Sequence, residues 1–236
     1  MTPSTRDAST GAVLFDIDGT LVDSNYLHVH AWTRAFADLA DELTRPVDAW
    51  RIHRCIGMGS SLLLADLLGA DADRLGERAK DGHACHYREL ADLQRPFDGA
   101  RELVRAVAER GARTVLATSA APEELEELLK TLDLEDVLTG VTSDEDVANA
   151  KPEPDLVRAA LRIAGAPPER AVLVGDTRWD VEAAARAGVP CVAVLTGGVG
   201  EAELHAAGAA AVYRDVAALL ADIDQSPLAF AWHTED

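Results

Sequence analysis

Ala12-Val-Leu-Phe15 is an unbroken apolar run that stops at Asp16-Ile-Asp-Gly19. A short continuous run ending in a turn pattern predicts a strand buried on both faces. From about 24 to 93 the apolar spacing changes. Trp32, Phe36 and Leu39 recur at three or four residues, as do Leu63, Leu67 and Leu68. That period predicts helices with one buried face. Gly57-Met-Gly59 interrupts the stretch and Pro96 closes it. Beyond Gly99 the two patterns alternate. Residues 100–110 read as a helix capped by Gly111, and 114–117 as a strand. Pro122 opens a helix whose first turns carry Glu123, Glu124, Glu126 and Glu127. Acids there favour the positive helix end, which explains them better than a metal site. A helix over 154–164, a strand over 171–174, a helix over 180–187 and a strand over 191–195 follow. The segments 201–207, 210–213 and 216–223 continue the series.

Repeated strand–helix units predict a parallel sheet covered on both faces. The fold class is α/β: a Rossmann-like, doubly wound parallel-sheet core with an inserted α-helical cap domain. The expected core is 11–23 plus 96–225, and the expected cap is 24–95. Residues 1–10 and 226–236 read as flexible tails, although Leu228, Phe230 and Trp232 have the character to dock. The pattern shows no internal repeat.

Charge sharpens this division. The chain has 236 residues, 22 Lys/Arg and 41 Asp/Glu, a formal charge of −19. Residues 24–95 hold nine Lys/Arg and eleven Asp/Glu, a net of −2. The other 164 residues hold thirteen and thirty, a net of −17. A near-neutral insert in an acidic core marks a second unit. The balance argues against general nucleic-acid binding, which neutralises phosphates with Lys and Arg. No apolar run approaches the roughly 20 residues of a membrane span, and 1–10 lack an apolar signal segment. Cys55, Cys85 and Cys191 are too few and scattered for a disulfide framework. A cytoplasmic protein, monomer or homodimer, is the expectation.

Ligands of open parallel sheets bind outside the carboxyl ends of the strands. Asp16, Asp18, Gly19 and Thr20 follow the first predicted strand, and Thr118 and Ser119 the second. Gly175-Asp176 ends a later one, with Asp180 four residues on. Lys151-Pro-Glu-Pro154 precedes a helix, and Lys151 is one of only three lysines. Carboxylates gathered on one rim repel unless a hard cation joins them, and Mg²⁺ suits carboxylates plus phosphate oxygens. With a phosphate ester neutralised by metal and lysine, an Asp can attack phosphorus. A second acid nearby can protonate the leaving alcohol and then activate water. Asp18 is alternatively a turn residue before Gly19, and Asp180 a helix N-cap. Gly19 permits the tight backbone that brings amides to a phosphate.

Asp16-Ile-Asp-Gly-Thr-Leu-Val-Asp-Ser24 resembles the first motif of the haloacid dehalogenase-like (HAD) hydrolase superfamily. Leu116-Ala-Thr-Ser119, Lys151-Pro-Glu-Pro-Asp155 and Gly175-Asp-Thr-Arg-Trp-Asp180 resemble its second, third and fourth, in family order. The insert resembles the C1 cap of the phosphoglycolate phosphatase and β-phosphoglucomutase branch. The resemblance implies Asp16 as nucleophile and magnesium ligand. It implies Asp18 as general acid/base, binding the metal through its backbone carbonyl. Thr118, and the amide of Ser119, would hold the phosphoryl group, while Lys151 would neutralise it and orient Asp16. Asp176 would bind Mg²⁺ directly, and Asp180 directly or through water. The implied substrate is a small phosphorylated metabolite.

Within the insert, His28 and Arg54 are the candidate substrate contacts, with a plain helix surface as the alternative for each. His83 and His86 share a helix face, but no further ligand pair supports zinc. Among related reactions, a phosphosugar mutase shares Asp16 and Asp18. A 2-haloacid dehalogenase has no need of Asp18, Asp176 and Asp180, and a phosphonatase needs a cap lysine, for which Lys80 is the first in the chain. A catalytically silent HAD scaffold with a binding role is the non-enzymatic alternative.

Overall fold

The computed structural model describes residues 10–118, 120–142 and 149–233. Among these residues, six strands form one parallel sheet: β1 (Ala12–Phe15), β2 (Arg113–Leu116), β3 (Gly140–Val141), β4 (Ala171–Gly175), β5 (Cys191–Val194) and β6 (Ala211–Tyr213). Their order is β3-β2-β1-β4-β5-β6. The chain starts at the centre and winds outward in both directions, so the crevice lies at the ends of β1, β2 and β4.

The apolar runs are continuous because both faces are covered. Val13 and Phe15 of β1 join Leu116, Val172, Val174, Val192 and Val194 in one buried layer. Ala12 and Leu14 join Val115, Leu173, Cys191 and Ala193 in the other. The two-residue side-chain period of a strand produces this division. Helices α5 (Ala100–Glu109) and α6 (Pro122–Leu132), with α10 (Val216–Ala221), cover the first layer. Helices α7 (Asp155–Ala164), α8 (Arg178–Ala187) and α9 (Glu201–Ala207) cover the second.

Between β1 and β2 lie α1 (Asn25–Asp38), α2 (Ala49–Cys55), α3 (Ser60–Leu68) and α4 (Ala72–Arg88). They have their own core, in which Trp32, Phe36, Leu39, Ile52, Leu63, Leu67 and Leu75 are buried. The fold is therefore the expected α/β core with an inserted helical cap. The chain enters and leaves the insert through paired segments. Asp23 N donates to Arg95 O at 2.9 Å and Phe97 N to Leu21 O at 2.9 Å.

Three differences from the sequence reading have local causes. β3 is two residues long, too short for a periodic signal. Helix α8 begins at Arg178 rather than 180, because Thr177 is its N-cap. Residues 226–233, read as part of a loose tail, are docked. Pro227–Ala231 forms a 3-10 turn with Leu228 and Ala231 buried in the first layer. The alternative for Leu228 and Trp232 is the one observed, Trp232 packing against the layer's edge, while Phe230 is exposed.

Candidate active site

The end of β1 carries Asp16 into the crevice, anchored by its own amide to Val174 O at 2.9 Å. The loop after β4 brings Asp176 opposite it. Asp16, Asp176 and Asp180 are buried, and one oxygen of each lies within 4.8 Å of the others. Lys151, from the loop before α7, sits between two of them. Its Nζ is 2.5 Å from Asp16 Oδ1 and 2.6 Å from Asp180 Oδ1. Among the described residues, Oδ2 of Asp16 has only a 3.4 Å contact from the Thr20 hydroxyl. That oxygen is the one available for new chemistry.

The electrostatics follow from burial. Burial pushes the Asp16 carboxyl up to about 7 against the pull of Lys151, with Asp180 and Asp18 adding to the rise. Burial also raises Asp176 well above the usual carboxylate range, helped by Asp180 and Asp16. Burial opposes the charge on Lys151, but Asp16 and Asp180 outweigh it and hold the ammonium protonated. One lysine thus faces three carboxylates, a set short of positive charge. Oxygen ligands at that spacing suit a hard divalent cation, so the donor set fits Mg²⁺.

Glycine shapes this cluster. A β-carbon at Gly197 would collide with Asp176 Oδ2, and one at Gly175 would lie 2.5 Å from the Asp180 side chain. Gly19 has φ +75 and faces Asp176 and Asn25, so a side chain there would be strained and crowded. Thr20 and Asn25 orient Asp176, donating to its two oxygens at 2.9 and 2.7 Å. Asp180 is not the N-cap of α8 but its third residue. Thr177 and Asp180 form a reciprocal capping box, leaving Asp180 Oδ1 for Lys151.

Asp18 belongs to a second group. Its Oδ1 accepts from the Ser24 hydroxyl at 2.5 Å and lies 3.3 Å from His28 Nε2. Burial would raise this carboxyl, but His28 and Ser24 hold it below its usual value. The turn reading of Asp18 is also realised, since Thr20 N donates to Ile17 O at 3.2 Å around Asp18-Gly19. Helix α6 adds Glu124, whose Oε1 is 3.3 Å from the same His28 nitrogen.

The structure brings Asp16, Asp18, Gly19, Lys151, Asp176, Asp180 and His28 together. Thr118 is buried at the end of β2, its amide donating to Thr142 Oγ1 at 3.0 Å and its own hydroxyl accepting from Ala120 N at 3.0 Å. Ser119 lies outside the described residues. Arg54 is not brought to the carboxylates. Its two terminal nitrogens pair with Glu203 of α9 at 2.7 and 2.6 Å, because the cap surface that bears it rests on an acidic helix start. The sequence singles out neither Asn25 nor Thr142, and it names Thr20, Glu124 and His83 without the contacts they make here. Glu124 was legible as an acid just beyond a strand end, but its first-turn position explained it too readily. His86 faces Asp38 at 2.6 Å instead of sharing a ligand set with His83.

An α/β crevice with a carboxylate cluster, a buried lysine and a helical lid defines a class of hydrolase site. The profile of the haloacid dehalogenase-like hydrolases matches residues 10–188, and the chain belongs to that family. It is 34% identical to a phosphoglycolate phosphatase of Rhodospirillum rubrum, over 88% of each chain. It is 31% identical to a phosphorylated carbohydrates phosphatase of Thermotoga maritima, over 75% of this chain and 82% of that one. A hydrolase structure from Pseudomonas syringae superposes with a TM-score of 0.84 at 36% identity, over 91% of this chain and 98% of the other.

Proposed function

We propose that the protein is a Mg²⁺-dependent phosphatase of small phosphorylated metabolites. The observation that carries this reading is the buried Lys151 bridging Asp16 and Asp180, with Asp176 completing the acidic set. The phosphatase names of its relatives support it.

Asp16, Asp176 and the backbone carbonyl of Asp18 would hold Mg²⁺, with Asp180 supporting them. When bound, the ion supplies positive charge that shields a phosphate dianion from the carboxylates. Lys151 keeps Asp16 ionised by pairing with Oδ1 and directs Oδ2 at phosphorus. Attack by Oδ2 forms an aspartyl-phosphate while the ester P–O bond breaks. Asp18, whose carboxyl His28 and Ser24 hold ionised, relays the His28 Nε2 proton to the departing alkoxide. Asp18 then takes a proton from water, whose oxygen attacks phosphorus. The bond to Asp16 breaks, releasing inorganic phosphate and restoring the carboxylate. Thr118 and the Ser119 amide would hydrogen-bond the transferring group, and Gly19 lets the backbone approach it. The cap excludes bulk water during the transfer.

Lys80, the first cap lysine, is exposed on α4, which does not favour a Schiff-base phosphonatase. The test is phosphate release from a panel of phosphoglycolate, sugar phosphates and other small monoesters with Mg²⁺, alongside an assay of glucose-phosphate isomerisation. Release from at least one monoester is expected. Isomerisation without net release would replace the reading with a mutase, and silence on every substrate would favour a binding scaffold.

A further inference from the structure

His28 and His83 form a contact that the reaction sequence above does not use. His28 Nδ1 lies 3.1 Å from His83 Nε2, and the rings stack with centroids 5.2 Å apart. The other His28 nitrogen faces two carboxylates, Asp18 and Glu124, both at 3.3 Å. An imidazole nitrogen facing two carboxylates is a donor, so the His28 Nε2 proton points at Asp18 and Glu124. His28 Nδ1 is left to hydrogen-bond His83 Nε2.

The ring is also fixed in place. His83 stacks on Trp32 at 4.2 Å, and His28 stacks on Tyr87 at 3.9 Å. Trp32 and Tyr87 are themselves buried between α1 and α4. A rigid pair on the cap therefore reaches across to a core carboxylate at the site.

We infer that His83 is a positioning residue: its Nε2 hydrogen-bonds His28 Nδ1, fixing the His28 ring so that Nε2 holds the Asp18 carboxyl, the group that passes a proton to the leaving alcohol. This rests on the phosphatase reading above. The hydrogen bond runs wholly within the cap, whereas its consequence falls on the core. Asp18 is thus set correctly only when the cap is seated.

The substitutions His83→Phe and His83→Gln separate stacking from hydrogen bonding. Phe keeps a ring against Trp32 but removes the hydrogen-bonding nitrogen. Gln keeps a hydrogen-bonding amide and loses the ring. Because kcat/KM reports the steps through departure of the leaving group, two esters are compared in the full-length protein with Mg²⁺. One is p-nitrophenyl phosphate, whose leaving group departs without a proton. The other is the best alkyl monoester from the panel, whose leaving group needs one. His83→Phe is expected to lower kcat/KM for the alkyl ester about tenfold, a fraction of the ~10²–10⁴ that general acid–base catalysis contributes. The nitrophenyl ester should change less than twofold, and His83→Gln should recover most of the loss. Thermal unfolding of each variant checks that it is folded. Equal losses on both esters, or no loss in folded His83→Phe, would overturn the inference. If His83→Phe does not fold, His83→Gln decides alone: near-normal alkyl turnover supports the hydrogen-bonding role, and a loss on the alkyl ester, alone or shared by both, refutes it. A wild-type protein that hydrolyses no ester would overturn the phosphatase reading instead, and this inference with it.

Discussion

Lys151 Nζ and Asp180 Oδ1 face each other at 2.6 Å, with side chains only 5% and 1% exposed. A pair this deep gains little net stability from its own attraction, because both charges lost their water. Removing one partner is another matter, since it strands the other. Lys151→Met leaves Asp16, Asp176 and Asp180 together without a cation from the chain. The expected loss is roughly 3–5 kcal/mol in chemical denaturation without Mg²⁺, together with loss of phosphate release. A loss below about 1 kcal/mol would show that the lysine is not what offsets the carboxylates.

Asp16→Asn separates chemistry from folding. The amide keeps the shape of the side chain and removes a charge that burial already disfavours. Turnover should fall by on the order of 10³ or more, as for loss of a nucleophile. The unfolding midpoint should hold. Full activity in this variant would refute nucleophilic attack by Asp16.

Metal addition has a readout that needs no substrate. A ligand that binds only the folded state stabilises it by about 2.7 kcal/mol at a hundredfold excess over its dissociation constant. Mg²⁺ should therefore raise the unfolding midpoint of the wild type in a saturable way. Asp176→Asn should abolish that rise, because Asp176 is held toward the cluster by Thr20 and Asn25. An equal rise in both proteins would mean that the ion binds elsewhere.

The docked C-terminal segment predicts a stability effect far from the site. Leu228 is wholly buried beside the sheet, where no element of the sequence pattern calls for it. Leu228→Ala should cost about 2–5 kcal/mol, measured by denaturant unfolding. Exposed Phe230→Ala is the control and should change stability little.

The alternation of strands and helices was legible because the central strands run between two buried layers, giving Ala12–Phe15 and Ala171–Gly175 unbroken apolar runs. The carboxylates were legible for a related reason, since Asp16 and Asp176 follow strand ends directly and Asp18 and Asp180 lie within the next few residues. What escaped depends on contacts distant in sequence. Glu124 meets His28 only because α6 and the cap face the same crevice. His83 reaches His28 from 55 residues away, through the packing of α4 on α1. Thr142 supports Thr118 from a strand too short to give a pattern. Leu228 has the right character in the sequence, but three apolar residues in a polar tail do not say which surface accepts them. Arg54 differs in the opposite sense. A cation on the cap suggested an anionic substrate, whereas an acidic residue of the core, 149 positions on, takes it.

That pair gives the last prediction. Arg54 and Glu203 join α2 of the cap to α9 of the core through two hydrogen bonds, with side chains 44% and 32% exposed. An exposed pair contributes only ~0.2–1 kcal/mol to stability. Its effect should appear in how firmly the cap is seated, because neighbouring contacts cross the same boundary. His53 Nε2 lies 2.9 Å from Gly197 O, and Gly57 approaches Thr177 closely. Arg54→Glu should therefore raise KM several-fold while shifting the unfolding midpoint little. Combining it with Glu203→Arg restores opposite charges in reversed order. If the pair fastens the cap, the double variant should recover much of the wild-type KM, and steady-state kinetics on the best panel substrate would read it. If Arg54 instead reads the substrate's anionic end, the double variant should remain as poor as Arg54→Glu alone.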